Sequence, residues 1–401
     1  MALGDILISG AGVAGPTLAH WLKRFGFRPV LVEQAPKLRT GGYVIDFWGP
    51  GYTVAERMGL LPELLGKGYK VEEVRFVNAA NEPLGGFDAE VFGRSTQGRF
   101  VSLPRGDLAR TVYDSLDGQV ETLFGDSITG LEQHEEGVEV SLERAETREF
   151  DLVIGADGLH SVTRELVFGP ESQFEHPLSY IAAAFEVRGY RPRDELVYVT
   201  YNEPGKQVIR FAMRDDVTMF FFVYRAAVER VLAPHDDAGH RAALHQEFNE
   251  AGWECPRILE LMEGCDNIYF DRVSQIQMED WWRGRVALVG DAAFCPSLLA
   301  GEGSSLGMAG AYILAGELAK AEGDYKQAFA EYQRLFKPLM DHKLKTAEKF
   351  ASSFAPATEL GLAARNLITR TFKVRFLANL FIGGSIKDNY DLPDYGELEG
   401  N

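Results

Sequence analysis

The chain has 401 residues, of which 46% are hydrophobic and 25% are charged. This composition is typical of a globular protein and excludes a disordered chain, and the length predicts more than one domain. The formal net charge of -18 would repel nucleic acid and anionic membranes, so small molecules are the expected ligands.

The sequence shows no targeting or metal-binding signal. A strand-like run begins at residue 6, which leaves no room for a secretory leader, and no apolar run reaches the length of a membrane span. Cys255, Cys265 and Cys295 lack metal-ligand spacing, and so do the eight histidines. These features predict a cytoplasmic protein with no membrane span and no bound metal.

A nucleotide-binding motif opens the chain. An apolar strand at residues 5–9 leads into Gly10, Gly12 and Gly15, which have the G-x-G-x-x-G spacing, and a helical pattern follows. Such glycines permit a tight turn, the approach of a pyrophosphate and close packing of helix on strand. Glu33 ends the next strand, where a carboxylate accepts hydrogen bonds from ribose hydroxyls. This order predicts a dinucleotide site without distinguishing NAD(P) from FAD.

Two further segments carry candidate ligand-binding residues. Gly41 and Gly42 follow Arg39, and they would either bring backbone amides against a flat ring or form a plain loop. Arg105 stands at the start of a predicted helix, where its guanidinium would either bind a phosphate or stay solvated at the surface.

The middle of the chain predicts a second approach to the dinucleotide and then a separate sheet. A strand at residues 151–154 delivers Asp157 and Gly158 in a turn of small residues. Alternating, aromatic-rich strands follow in the next hundred or so residues. One of these strands carries Phe220, Phe221, Phe222 and Tyr224, which would line an apolar ligand pocket on one face or would simply belong to the core.

A second glycine-rich turn comes far downstream of the first. An apolar strand at residues 285–289 leads to Gly290 and Asp291, and Gly301 and Gly303 precede a long helix. Two phosphate-type turns in one chain require one long ligand or two separate ligands.

The three turns, in this order, resemble the fingerprints of the class A flavoprotein aromatic hydroxylases, which share the para-hydroxybenzoate hydroxylase fold. The segment R-T-G-G-Y-V-I-D is similar to a loop of the tetracycline-degrading members. The resemblance implies an α/β protein in which one extended, non-covalently bound FAD bridges the first and last turns.

The implied architecture has three parts. A Rossmann-like FAD-binding domain of the glutathione-reductase type carries an inserted, mainly β substrate domain, and a helical segment ends the chain. The expected ranges are 1–75, 98–170 and 270–345 for the FAD-binding domain, 76–97 and 171–269 for the substrate domain, and 346–401 for the C-terminal segment.

The resemblance also implies roles for matching residues. Glu33 would bind the adenosine ribose, and Asp291 would bind the ribityl hydroxyls. The amides around Gly301 and Gly303 would hold the pyrimidine edge of the flavin. The full implied set of cofactor-binding residues is Gly10, Gly12, Gly15, Glu33, Arg39, Gly42, Asp46, Arg105, Asp157, Gly290, Asp291, Gly301 and Gly303.

The sequence departs from the family on the substrate side. Family members often have a histidine after Asp-Ala-Ala and a Pro-Pro pair, whereas this chain has Phe294 and the single Pro296. These two residues, with Phe220 and Phe222, are the expected substrate-pocket residues. No catalytic residue is assigned.

The implied activity is that of an FAD-dependent monooxygenase. NADPH or NADH, as a transient co-substrate, would reduce the flavin, and O2 would add to give a C4a-hydroperoxide that hydroxylates or epoxidises an aromatic or polyketide-like molecule. A reductase or halogenase of the same fold and a non-catalytic flavin-binding protein are the alternatives. A halogenase would carry a G-W-x-W-x-I-P segment, which this chain lacks. The expected assembly is a monomer or a homodimer.

Overall fold

The computed structural model describes residues 4–38, 43–226, 236–371 and 390–398. Within these ranges the strands are β1 (Asp5–Ser9), β2 (Arg28–Glu33), β3 (Val44–Trp48), β4 (Glu73–Val77), β5 (Pro83–Asp88), β6 (Phe100–Pro104), β7 (Glu121–Phe124), β8 (Ile128–Gln133), β9 (Val138–Leu142), β10 (Arg148–Phe150), β11 (Leu152–Gly155), β12 (Glu175–Arg188), β13 (Val197–Glu203), β14 (Lys206–Ala212), β15 (Val217–Arg225), β16 (Tyr269–Ile276), β17 (Trp282–Arg283) and β18 (Val286–Leu288). The helices are α1 (Ala14–Arg24), α2 (Pro50–Arg57), α3 (Leu61–Lys67), α4 (Glu90–Ser95), α5 (Arg105–Asp114), α6 (Val162–Phe168), α7 (Asp237–Phe248), α8 (Cys255–Met262), α9 (Asp291–Phe294), α10 (Gly303–Lys320), α11 (Tyr325–Phe354) and α12 (Glu359–Thr371).

One sheet, here called sheet I, has the strand order β17-β18-β11-β1-β2-β7. Its central strands pair in parallel, with Ile8 in register between Leu31 and Ile154. The run in β1 is apolar at successive positions because both faces of the strand are covered. Ile6 and Ile8 pack with the helices α1 and α10, while Leu7 packs with the small sheet β10-β9-β8.

The parallel pairing brings three turns to one edge of sheet I. The turns that follow β1, β11 and β18 lie together because β11 pairs with β1 on one side and with β18 on the other. Backbone hydrogen bonds continue past the strand ends, from Gly10 N to Val32 O and from Ala156 N to Ser9 O, each at 2.7 Å. Ligands of open α/β sheets bind at this edge.

A second sheet, sheet II, has the order β16-β12-β15-β14-β13-β4-β5 and is mainly antiparallel. Its two faces contact different parts of the chain. Odd-numbered positions of β15 such as Phe221 face β3 and the turn at Leu298, whereas Phe220 and Phe222 face α7 and α8. Helix α12 covers part of the first face, where Arg365 donates to Asn202 Oδ1 at 2.9 Å.

Helix α10 is the central helix of the fold. It packs on α1, α2 and α11, and nearly all of its residues are buried because glycine and alanine allow neighbouring helices to approach closely. A Cβ added to Gly310 would lie only 2.9 Å from the ring of Phe294. No helix in the described part of the chain is both long enough and apolar enough to cross a membrane.

The buried face of sheet II generates a stability prediction. The Phe222 side chain is fully buried, stacked on Phe185 and edge-on to Phe248. We expect Phe222→Ala to lower the free energy of unfolding by about 3–5 kcal/mol, the usual cost of a large cavity. Leu360→Ala, at a side chain 84% exposed, is the control and should change it by less than about 0.5 kcal/mol. Urea denaturation of both variants measures these free energies of unfolding. A loss for Phe222→Ala as small as that for Leu360→Ala would contradict the prediction.

Candidate cofactor and active site

The first glycine turn leaves one face of its backbone open. Gly10 has φ +103°, and a Cβ there would lie 2.5 Å from Ala156 O; a Cβ on Gly15 would lie 1.9 Å from Gly10 O. Both positions therefore require glycine. Around Gly12 the nearest atom to an added Cβ is Arg105 Nη2, at 4.0 Å. The space above Gly12 is open except for one guanidinium.

Arg105 is held over this turn by its own backbone. It is the first residue of α5, and its N–H donates to Tyr43 O at 3.0 Å, which ties α5 to the start of β3. The guanidinium is partly buried, and it forms no ion pair with any of the residues that the structure describes. A partly buried cation that lies beside an open glycine, with no ion-pair partner among the described residues, fits a phosphate-bearing ligand.

Glu33 fastens the same turn. Its carboxylate accepts from Ala11 N at 2.8 Å and from Ala35 N at 2.9 Å, one donor for each oxygen. Each carboxylate oxygen retains a further lone pair. The partly buried side chain at the end of β2 can therefore hold the turn and accept from ribose hydroxyls at the same time.

Asp157 is occupied by protein donors. Its carboxylate accepts from Ser9 Oγ, Ser161 Oγ, Thr163 N and Thr163 Oγ1, at 2.5 to 3.3 Å. This network fixes the turn after β11 and the start of α6, where Ser161 caps the helix. Gly158, with φ +82°, has no atom within 4 Å of an added Cβ, so the open position in this turn is the glycine.

The turn after β18 faces the start of α10. Asp291 is the first residue of α9, and a Cβ on Gly303 would lie 3.5 Å from its Oδ1. Burial raises the pKa of Asp291, while the charge of Arg105 opposes that rise. A row of four residues, neighbours in space, thus runs from the end of β1 to the start of α10. We call these four residues the cradle: Gly12, Arg105, Asp291 and Gly303.

Gly290 and Gly301 adopt left-handed conformations in the loops beside the cradle. Gly290 has φ +66° and lies against Ala14, and Gly301 has φ +71° and lies 3.6 Å from the ring of Trp48, both measured from an added Cβ. Gly301 closes the short 3-10 turn Leu298–Ala300. The sequence predicted both residues as part of the site, and the structure brings both beside it.

Three aromatic residues, Tyr43, Phe221 and Tyr269, lie beside the cradle; we call them the aromatic wall. Tyr43 packs against Phe221 at 5.7 Å and against Tyr269 at 5.3 Å between ring centroids. Ala184 lies in register between Phe221 and Tyr269, and its small side chain leaves room for the Tyr43 ring. Burial raises the pKa of Tyr43 to about 12, and its phenol lies within electrostatic reach of Arg105. Sequence analysis considered Phe221 for a pocket, but it assigned no such role to Tyr43 or Tyr269.

The predicted pocket phenylalanines lie elsewhere. Phe220 and Phe222 are in the core between sheet II and α7, on the face opposite the wall. Phe294 is buried against Trp281 and Phe336. Pro296 is buried beside the turn before α10, where its carbonyl accepts from Gln275. Successive side chains of a β-strand point to opposite faces of the sheet, so Phe221 belongs to the wall while its neighbours on the strand face the core.

Asp46 lies on β3, which pairs with β6 so that Asp46 is opposite Ser102. Ser102 Oγ donates to Asp46 Oδ1 at 2.5 Å, and burial raises the pKa of this carboxyl to about 6. The side chain shares the face of β3 that is turned toward sheet II. Arg39 and Gly42, which the sequence placed in the same loop, lie outside the described residues.

A charged cluster next to the Asp157 turn is not a metal site. His160 contacts Asp271 and Glu171. Its hydrogen bonds to both carboxylates raise the pKa of the imidazole to about 10, and the bond to Asp271 has the larger effect. Arg164, fully buried, pairs with Glu171 at 2.9 Å. Among the residues that the structure describes, no group of three or more His, Cys, Asp or Glu side chains could hold a metal ion.

Comparisons with known proteins agree with this geometry. A family model described as an FAD binding domain matches residues 4–331. A flavin-dependent monooxygenase from an unknown prokaryotic organism is 35% identical over 397 residues, which cover 97% of this chain and 98% of the relative.

Two solved structures share the fold. The tetracycline destructase Tet(51) superposes with a TM-score of 0.82 and 32% identity, and the match covers 98% of this chain and 100% of that one. HpxO of Klebsiella pneumoniae, solved with FAD and uric acid, has a TM-score of 0.77 and 23% identity over 96% of each chain. The second likeness concerns the fold alone.

Asp46 generates a prediction on the pH dependence of stability. Its pKa in the folded chain, about 6, exceeds the value of 3.8 for an ordinary aspartate, so folding favours the neutral acid. Its contribution to stability is therefore complete below pH 3.8 and is lost as the pH rises through about 6. Asp46→Asn removes this loss and retains an acceptor for Ser102.

We expect the variant to gain stability relative to the parent between about pH 4 and 6, and to hold a constant advantage above that, on the order of 3 kcal/mol. Urea denaturation of the cofactor-free protein at several pH values measures this. The exposed Asp114→Asn is the control for loss of one carboxylate. A pH-independent difference for Asp46→Asn would contradict the assignment.

Proposed function

The chain belongs to the FAD binding domain family and is an FAD-dependent monooxygenase, and on this premise we propose that it hydroxylates a planar, polyketide-like aromatic molecule with NADPH or NADH as reductant. The observation that carries the proposal is the cradle, where Arg105, without an ion-pair partner among the described residues, lies over the open backbone of Gly12. The aromatic wall then places a set of aromatic rings beside the cradle.

The cradle and the residues around it would bind different parts of the cofactor. Arg105 and the amides near Gly12 would hold the pyrophosphate, because a cation and oriented N–H groups both favour it. Glu33 would accept from the adenosine ribose, and Asp291 from the ribityl hydroxyls. The amides around Gly301 and Gly303 would meet the pyrimidine edge, and this contact would bring the reactive ring toward the aromatic wall. The N–H of Gly301 itself donates to Leu298 O at 3.1 Å, so neighbouring N–H groups such as that of Gly303 would supply the contact.

Bound FAD supplies electron transfer from the nicotinamide and activation of O2. The chain's own residues exclude water and orient the substrate. The rings of Tyr43, Phe221 and Tyr269 offer a dry surface on which a planar molecule can stack. Asp46 holds a proton on its carboxyl below about pH 6 and accepts from Ser102 Oγ above it.

The substrate class follows from the wall, the charge and the relatives. A cluster of aromatic residues favours a fused, planar ring system that can pack against one of its rings. The net charge of -18 disfavours an anionic substrate, so a neutral or zwitterionic molecule is the better fit. The 32% identity to the tetracycline destructase Tet(51) supports a polyketide-like molecule of this kind.

The function is tested in two steps. NADPH, and then NADH, is added without oxygen to the FAD-loaded protein while the visible absorbance of the flavin is followed; we expect bleaching by at least one of them. Oxygen-18 gas is then supplied with a panel of phenols and tetracyclines, and mass spectrometry should find one labelled oxygen in a product. A reduced product without label would indicate a reductase, and a requirement for halide would indicate a halogenase; either result overturns the proposal.

Arg105 yields a quantitative prediction. Arg105→Met should weaken FAD binding by roughly 10- to 100-fold, because hydrogen bonds to a charged group contribute about 1.5–3 kcal/mol. Arg110→Met, five residues along the same helix and exposed, should leave the FAD dissociation constant unchanged. Titration of the cofactor-free proteins with FAD, followed by flavin fluorescence, measures both constants. Equal affinities for the two variants would remove Arg105 from the cradle.

A further inference from the structure

A buried ion pair lies under the turn that precedes α10. Glu302 stands between Gly301 and Gly303, and its Oε1 accepts from Lys343 Nζ at 2.6 Å. Lys343 belongs to the middle of α11, and its side chain is only 5% exposed. The pair therefore joins a long helix to the turn whose amides are assigned to the flavin.

A second contact ties the same two segments. Gln275 Nε2 on β16 donates to Pro296 O at 3.1 Å and to Leu344 O at 2.8 Å. Pro296 begins the turn, and Leu344 is the neighbour of Lys343. Sheet II, the turn and α11 are thus bound together at one buried point.

The turn needs such support because its backbone is strained. Ser297 has φ +116° and ψ +143°, a conformation that residues with a side chain rarely adopt, and its Oγ accepts from Leu299 N. A conformation of this kind persists only where surrounding contacts over-determine it. The ion pair and the Gln275 bridge supply those contacts.

The pair also sets the charge beside the turn. Glu302 is the residue before the first turn of α10, and its carboxylate would place a negative charge next to any group bound there. The ammonium of Lys343 compensates that charge at 2.6 Å. In a buried, low-dielectric environment such compensation acts strongly and over several ångströms.

From these observations we infer that Lys343 and Glu302 are a positioning pair that holds the Gly301–Gly303 turn against the flavin and tunes the flavin's reduction potential. The inference rests on the proposed assignment of this turn to the pyrimidine edge. Reduction adds negative charge to that part of the ring, and nearby charges therefore shift the potential. Neither residue exchanges atoms with substrate or cofactor.

Opposite charge changes separate this role from a purely structural one. Lys343→Met removes a positive charge and should lower the midpoint potential, whereas Glu302→Gln removes a negative charge and should raise it. The double variant should return toward the parent. Lys343→Arg keeps the charge and should retain the parent potential. The control is Lys337→Met on the same helix, where Lys337 pairs with Asp341 near the surface and where no shift is expected.

Each potential is measured on the FAD-loaded variant by slow anaerobic reduction against a reference dye. FAD dissociation constants are measured in parallel, and Lys343→Met should weaken binding about tenfold or more, since losing one member of a buried ion pair is costly. If Lys343→Met does not fold, the upward shift in Glu302→Gln alone carries the test.

The outcomes are separable. Shifts of opposite sign for the two single variants support the inference. Shifts of the same sign, or parent potentials in variants that lose only stability, overturn it while the proposed function stands. Failure of the parent protein to bind FAD would instead refute the proposed assignment of the cradle.

Discussion

Parallel pairing of three neighbouring strands is the constraint on which the whole site depends. β11 lies between β1 and β18, so three turns that are far apart in the chain end at one edge of sheet I. The close approach of Gly15 to Gly10 then fixes α1 on β1 and opens the backbone at Gly12. The cradle is a consequence of this arrangement, because Arg105 and Asp291 are far apart in the sequence and come close together only where these turns meet.

The sequence analysis predicted what local patterns encode. The α/β architecture and the FAD-dependent monooxygenase class are confirmed, and the strand predicted at residues 5–9 coincides with β1. A glycine turn can be recognised in the sequence because its cause is local: the backbone conformation requires a residue without a side chain. The roles predicted for individual cofactor-binding residues and the domain boundaries stay predictions.

The substrate side was less readable for a physical reason. β15 is apolar along nearly its full length because both faces of sheet II are buried there, so alternation does not reveal which face meets the ligand. The partners of Tyr43 lie on β15 and β16, far along the chain, and nothing near Tyr43 signals them. The pairing of Lys343 with Glu302 likewise joins a helix to a distant turn, and no local pattern in the sequence indicates it.

One backbone hydrogen bond links the two halves of the proposed site. The N–H of Arg105 donates to the carbonyl of Tyr43, so the residue proposed to bind the pyrophosphate and one residue of the aromatic wall share a main-chain contact. Phe221 and Tyr269 reach the wall from sheet II, independently of that anchor. If the proposed roles hold, substitutions at these two positions of sheet II can change the substrate range while the segment at Tyr43 stays tied to the cofactor-binding residue Arg105. Within such a family, new specificities should accumulate on one side of the cleft.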